Sequence, residues 1–487
     1  MHIKPMLRVP LLLTVVFLIG LVAVLGGVVR PAVGSDTAID QYILNEIATK
    51  GKANLFVKMA GDADLNAAYG ITNRVDRLNY VHDTLTAYAA ASQAEAIRFL
   101  QGRGASYESF WINNSIYVRN ADLDLARTLA QLDGVAYLRG DREIPLDKPL
   151  DLVISDVAPT AIEWGVSRIN ADDVWNTGNT GVGIVVASVD TGVRWTHDAI
   201  DDQYRGVAGN HNYNWWDPDK VYAQPTDGNG HGTHTMGTMV GNDGGSNRIG
   251  VAPGAKWIAA QGCDTNSCSN FDLTSSAQWI ACPTDLSGLN PDCSKAPDVV
   301  NNSWGGGGGD SWYQSYVNAW QAAGIAPIFS AGNSGPGCNT LGSPGDYTNV
   351  LGVGATNSTN KLSSFSSKGP GAFGGYKPNV VAPGESVRSA WNTSDTAYST
   401  ISGTSMAAPH VSGAVALLLA DTPSASLSAI ANALQQTTVK GLPAPTSPTK
   451  CGGIRYSTYP NYIYGYGLVN VCDAVDHSGL PGGAACP

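Results

Sequence analysis

Three short runs in this 487-residue chain carry residue types suited to nucleophilic catalysis. The first is Val189-Asp190-Thr191-Gly192, where a carboxylate follows the continuous apolar run Gly183 to Val189. Asp-Thr-Gly also suits an aspartic peptidase, but that chemistry needs two carboxylates sharing a proton, and no second such triplet exists. A structural Asp that caps a turn or helix is the plainer use of the same residue. The second run is Asp227-Gly228-Asn229-Gly230-His231-Gly232-Thr233-His234. Glycines on both sides of His231 clear bulk from an imidazole that a substrate must reach. A zinc-binding helix would need its histidines four apart with a Glu after the first, and neither condition is met, so the metal ligand set is left unknown. The third run, Ser402-Gly403-Thr404-Ser405-Met406-Ala407-Ala408-Pro409-His410, opens an apolar helical stretch from Ala407 to Leu419. A Ser at such a place is commonly a cap. The same place faces the positive end of the helix dipole, which favours an alkoxide or oxyanion, and the hydroxyl there needs a base to become nucleophilic.

Each run sits at the end of an element, so the elements must bring them together. Gly183 to Val189, Asp298 to Asn301, Ile325 to Phe329, Val350 to Val353 and Val380-Val381 are short apolar runs separated in several places by Ala- or Ser-rich helical stretches. That alternation predicts an α/β fold with an open, mostly parallel sheet, whose ligands lie beyond the carboxyl ends of the strands. Ahead of it, Leu55-Phe56-Val57, Asp76 to Leu100, Tyr107 to Val118 around Asn113-Asn114, Asp122 to Leu132 and Val135 to Leu138 predict a small β-α-β-β-α-β unit. Between the two, Leu146 to Pro159 is rich in Asp and Pro, lacks periodicity and reads as a linker.

Composition narrows the partners. The formal charge is -11 with only 14% charged residues, which argues against nucleic acid or anionic lipid as a main partner. Lys4 and Arg8 precede the uncharged stretch Val9 to Val29, and Ala32-Val33-Gly34 supplies small residues. That is the layout of a secretory signal, though the stretch is long enough for a retained anchor. Either way the remainder is expected outside the cytoplasm. All eight cysteines lie between Cys263 and Cys486, with no CxxC pair, as expected for disulfides in an exported body.

Taken together, DTG, HGTHTMGT, GTSMAAPH and Ser330-Ala331-Gly332-Asn333 resemble the motifs of the subtilisin-like serine peptidases, the subtilases, in the family's order. The resemblance runs from about Ala161 to Val475. The segments WIAAQGC and WIACP are most similar to its bacillopeptidase F branch. It implies a subtilisin-like sheet with helices on both faces and a secreted endopeptidase that cuts proteins through an acyl-enzyme. Ser405 would be the nucleophile, His231 the base, Asp190 the residue that orients it, and Asn333 the oxyanion donor. Ser303, Trp304 and Gly305 match an edge that pairs with extended substrate, and Gly342 matches the floor of the pocket for the residue before the cut, with room for a large apolar side chain. The preceding unit matches a ferredoxin-like propeptide by order and position. The implied organisation is a signal or anchor (1–34), an inhibitory propeptide (35–145), a linker with the processing site (146–160), the catalytic domain (161–475) and a tail (476–487). The partners expected are protein or peptide substrates and the chain's own propeptide, with a membrane only if the first segment is retained. No cofactor is needed for the chemistry. The family's strong calcium site uses a loop that falls on Asn242 to Arg248, but its acidic ligand falls on Ala199 and its N-terminal ligand on Thr160, so calcium is not expected at that site, while acid-rich loops such as Asp201-Asp202 leave structural calcium possible elsewhere. Disulfides are expected to take over part of that stabilising role.

Overall fold

A short helix, α1 (Gln41–Lys50), precedes the βαββαβ unit and was not anticipated from the sequence. Then follow β1 (Ala53–Met59), α2 (Arg74–Gly102), β2 (Tyr107–Phe110), β3 (Ser115–Ala121), α3 (Leu123–Gln131) and β4 (Val135–Gly140). Helix α2 is capped by the Asn73 side chain and buries Leu78, Val81, Leu85, Ala89, Gln93, Ala96 and Leu100, the three- and four-residue spacing of one face. The strands make an antiparallel sheet in the order β2-β3-β1-β4. One face of that sheet (Leu55, Val57, Ile116, Val118, Leu138) packs with Ala96, Leu100 and Leu129 into a core of its own. The other face carries Phe56, Phe110 and Tyr117, which close on Phe271 of the body that follows. The structure, a computed structural model, describes residues 38–146, 150–154, 162–206 and 209–477. The N-terminal apolar stretch and the C-terminal tail beyond 477 lie outside these residues. Among the described residues no helix is long and apolar enough to cross a membrane.

Strands β5 (Glu143–Pro145) and β6 (Leu150–Ile154) lead into the larger body through α4 (Trp164–Arg168) and α5 (Ala171–Asn176). Strand β6 lies inside the segment read as a linker. Its pairing partner is more than two hundred residues away, so local periodicity carried no sign of it. The central sheet uses β7 (Val185–Asp190), β8 (Trp215–Trp216), β9 (Lys256–Gln261), β11 (Val299–Asn302), β12 (Ala326–Ser330), β13 (Leu351–Thr356) and β14 (Val380–Pro383). It is seven-stranded and parallel throughout, in the order β14-β13-β12-β11-β7-β9-β8. Side chains alternate between two covered faces, Val299 and Ile328 to one and Val300 and Phe329 to the other, which is why the runs are apolar without a polar period.

On the first face lie α6 (His231–Val240) and, after the short strand β10 (Ser267–Ser269), α7 (Asn270–Ala281) and α8 (Gln314–Ala323) cover the second. Strands β15 (Val387–Ala390) and β16 (Tyr398–Ser402) form a small sheet with β6 and deliver the chain into α9 (Thr404–Asp421), which joins α6 on the first face. Three disulfides are present among the described residues: Cys263–Cys268, Cys282–Cys293 and Cys338–Cys451.

Candidate active site

Asp190 ends β7, His231 begins α6 and Ser405 is the second residue of α9, so three element ends supply the three groups. Their approach depends on bare backbone. A Cβ on Gly232 would lie 2.0 Å from the Gly192 carbonyl, and one on Gly192 would lie 1.8 Å from the Thr226 carbonyl. The glycines around His231 therefore let the β7 turn, the 226 loop and α6 touch, rather than clearing a path to the imidazole. Gly230, at φ +105°, turns the chain into the helix beneath Trp391 and Asn392.

His231 Nδ1 lies 2.7 Å from Asp190 Oδ1, and both side chains are 1% exposed. A carboxylate only accepts, so Nδ1 carries the proton and Nε2 presents the lone pair. Asp190 Oδ1 also accepts from Thr191 N at 2.8 Å, and Oδ2 from Thr235 Oγ1 at 3.2 Å. Sequence reasoning missed Asp227. Its buried carboxylate accepts from Thr191 Oγ1, from the backbone N–H groups of Asn229, Gly230 and Thr233, and from Thr233 Oγ1. Thr191 Oγ1 in turn accepts from Gly232 N at 2.9 Å. Asp227 thus ties the strand end to the helix start, and its signal was visible as the Asp opening the DGNGHGTH run.

Ser405 Oγ donates to the Ser303 carbonyl at 3.1 Å, while Ser303 Oγ donates to the Ser405 carbonyl at 2.8 Å. Pro409 explains the second bond. It lacks the N–H that would take the Ser405 carbonyl inside α9, and the Ser303 hydroxyl supplies the missing donor. Asn333 Oδ1 accepts from Thr404 N at 2.8 Å and from Thr404 Oγ1 at 2.9 Å. That fixes the amide with Nδ2 toward Gly403, where a Cβ would stand 3.6 Å away. The other motif histidines are placed apart from this chemistry. His234 Nε2 contacts the Val387 carbonyl and His410 Nδ1 the Met406 carbonyl, and burial pushes them down to about 3 and about 4.

The expected substrate surface is only partly as read. The indole of Trp304 is 3% exposed and packs edge-on against Tyr313 and Phe329, so it belongs to the core. Gly342 meets Gly306, whose carbonyl would lie 2.7 Å from a Cβ there, so a close backbone crossing also requires the glycine. The nearby Asp346 carboxylate is buried and bonded to Ser343 Oγ and Gly309 N. Strand β5 of the same chain lies on the body and pairs with Ser267–Ser269.

The calcium loop does not fit a cation. Asp243 accepts from Gly245 N, Asn247 N and Asn247 Nδ2 within the loop. Asn247 Oδ1 accepts from Arg388 Nη2 at 2.8 Å, and Arg388 Nη1 meets Glu163 Oε1 at 2.9 Å. The Asn247 and Glu163 side-chain oxygens thus already face a guanidinium.

Residues 181–467 match the model of the Subtilase family. Bacillopeptidase F of Bacillus subtilis (strain 168) is 37% identical over 448 residues, 87% of this chain, although the chain spans only 30% of that protein's length. Subtilisin DY of Bacillus licheniformis is 33% identical over 316 residues, 64% of this chain and 97% of that protein. The extracellular serine proteinase of a Thermus species (strain Rt41A) is 33% identical over 350 residues, 70% of this chain and 75% of that protein.

Proposed function

The chain belongs to the subtilase family, near its bacillopeptidase F branch, and from that premise we propose that it is a serine endopeptidase made as a self-processing zymogen. The observation that carries the reading is the buried His231–Asp190 pair, set at the same end of the sheet as Ser405 at the start of α9. Ser405 Oγ attacks the peptide carbonyl and passes its proton to His231 Nε2. His231 then protonates the leaving amine, and water repeats the sequence on the acyl-enzyme. Asp190 holds the tautomer and offsets the charge on the imidazolium. Asn333 Nδ2 and the Ser405 N–H receive the developing oxyanion at the positive end of α9. Subtilases need no cofactor for this chemistry, and no step draws on one. Residues 1–34 direct export, 35–145 inhibit, and the chain is cut within 146–160. The separate core of the first unit and the docking of β5 support that division.

The test is labelling with a fluorophosphonate together with hydrolysis of a peptide library. Both should be lost in Ser405→Ala, and labelling that persists in that variant would overturn the assignment. Asn333→Ala should keep labelling while lowering kcat by about 10²- to 10³-fold. An active enzyme whose N-terminus is still residue 35 would overturn the zymogen part.

A further inference from the structure

We propose that residues 440–466 form a brace on the wall of the cleft that receives the side chain before the cut bond, with Cys338, Cys451 and Lys368 as its specificity-determining joints. The inference rests on the reading of Ser405 as nucleophile and Asn333 as oxyanion donor, and adds a control of selectivity to it. A carbonyl held between Ser405 and Asn333 sets the side chain before the cut bond beside the segment that follows Asn333. That segment runs on to Ser343, where it meets the opposite wall as Gly306 N donates to the Ser343 carbonyl at 2.9 Å.

The wall has little packing of its own. None of residues 332–340 is fully buried, and Gly335, Pro336 and Gly337 supply few atoms with which to hold it. It is laced instead to the loop at 365–369. Ser334 N donates to Ser367 Oγ at 3.1 Å, Gly335 N to the Phe365 carbonyl at 2.7 Å and Thr340 N to the Lys368 carbonyl at 2.9 Å. The brace grips that loop from the other side. Lys368 is 1% exposed, and its Nζ donates to the Thr446 carbonyl at 2.8 Å and the Pro448 carbonyl at 3.1 Å. Gly369 N donates to the Tyr462 carbonyl at 2.8 Å. The last joint is covalent. The Cys338–Cys451 disulfide ties the wall itself to β17 (Lys450–Cys451), which turns back as β18 (Ile454–Arg455).

The brace is in turn fixed to the central sheet. Leu442, Cys451, Ile463 and Tyr464 share a core with Val381 of β14, and Val381 N donates to the Gly467 carbonyl at 2.9 Å. Through these contacts the exposed wall is held on the same frame that carries Asp190 and Ser303. A cleft sorts side chains by size only as far as its wall resists being pushed aside, so the support of the wall sets the selectivity.

The experiment uses the processed enzyme and two peptides that differ only in the residue before the cut bond, Phe or Ala. The unaltered enzyme is expected to favour Phe. Cys338→Ser together with Cys451→Ser should lower the Phe-to-Ala ratio of kcat/KM about tenfold, roughly the worth of one well-fitted methylene group. Lys368→Met should lower it in the same direction. The control is Cys282→Ser with Cys293→Ser, which removes the disulfide at the end of α7. Both disulfide deletions should lower the melting temperature, so the ratio is what separates positioning from stability. Fluorophosphonate labelling counts the active molecules of each variant, and where one brace variant fails to label, the other decides. A ratio unchanged in the labelled brace variants, or lowered equally by the control, would overturn the brace while leaving the Ser405 assignment standing. Loss of labelling from both brace variants would also overturn it, because a support that only sets the cleft leaves the nucleophile reactive. An unaltered enzyme that neither cuts nor labels would overturn the brace and the nucleophile together.

Discussion

Ser303 was singled out for its backbone, yet its hydroxyl has a task of its own. It satisfies the Ser405 carbonyl that Pro409 leaves without an intrahelical donor. Ser303→Ala should orphan that buried carbonyl, at a cost of about 1–3 kcal/mol in stability, read as a lower denaturant midpoint. It should also loosen the turn carrying the nucleophile, lowering kcat more than it raises KM. The histidines give a second residue-scale expectation. With His234 held at about 3 and His410 at about 4 by burial, neither titrates near neutral pH. The acid limb of kcat/KM should therefore have a slope of one, since neither buried histidine adds a proton to it, and a slope of two would contradict this. Their depressed values also fix the sign for stability. At these two sites the unfolded chain binds protons near pH 6.5 that the folded chain refuses, so their contribution to the stability of Ser405→Ala protein is lost as pH falls below about 6.5. The reactive residues were legible because each stands in a run of small residues with one steric purpose. Asp227 was passed over because its contribution is five hydrogen bonds to groups nearby, a pattern that appears only once the loop is closed.

At the scale of elements, legibility followed locality. The strands at Val185, Val299, Ala326, Leu351 and Val380 could be read because both faces of a parallel sheet are covered, leaving uninterrupted apolar runs. Strands β6 and β10 could not, since their pairing is set by chain segments far away in sequence. The calcium loop shows a similar limit. Residue types alone disqualified Ala199 and Thr160, but the charge that meets the loop comes from Arg388 on β15, which the sequence places about 140 residues further on. Its guanidinium joins Glu163 near the start of the catalytic body, Asn247 in the loop and the Tyr398 ring. Arg388→Ala would strand the Glu163 carboxylate, which is 13% exposed, and should cost about 3–5 kcal/mol, seen as a lowered melting temperature. In the unaltered protein, hydrogen exchange of residues 242–248 should be the same in calcium and in EDTA. Protection of that loop by calcium would show that the guanidinium does not replace the ion.

For the whole molecule, the proposed zymogen reading requires the first unit to hold the body firmly and still come away. The contact is mixed. Phe271 packs among Phe56, Phe110 and Tyr117, and ion pairs Arg74–Asp298 and Arg139–Asp310 flank it. Beside these lies a cavity of about 280 Å³ lined by polar groups of both units, including Lys58, Asn113, Arg139, Asn270 and Tyr316. Such a cleft leaves part of the seam open to water, which fits the proposed release. The same seam buries acids. Asp141 accepts from Phe271 N at the start of α7, and burial raises its carboxyl above the ordinary range. Burial pushes the neighbouring Asp272 up to about 8. Undocking exposes both groups and returns them toward about 4, the value of free carboxylates. The docked state therefore holds protons that the separated state releases. Docking is strongest at low pH and weakens as pH rises through the raised values, by up to about tenfold per pH unit for each proton held. After processing, the first unit should stay bound in gel filtration at pH 6 and dissociate at pH 8.5. Asp272→Asn, which cannot ionise, should flatten that dependence, and equal retention of the unaltered complex at both pH values would exclude the mechanism.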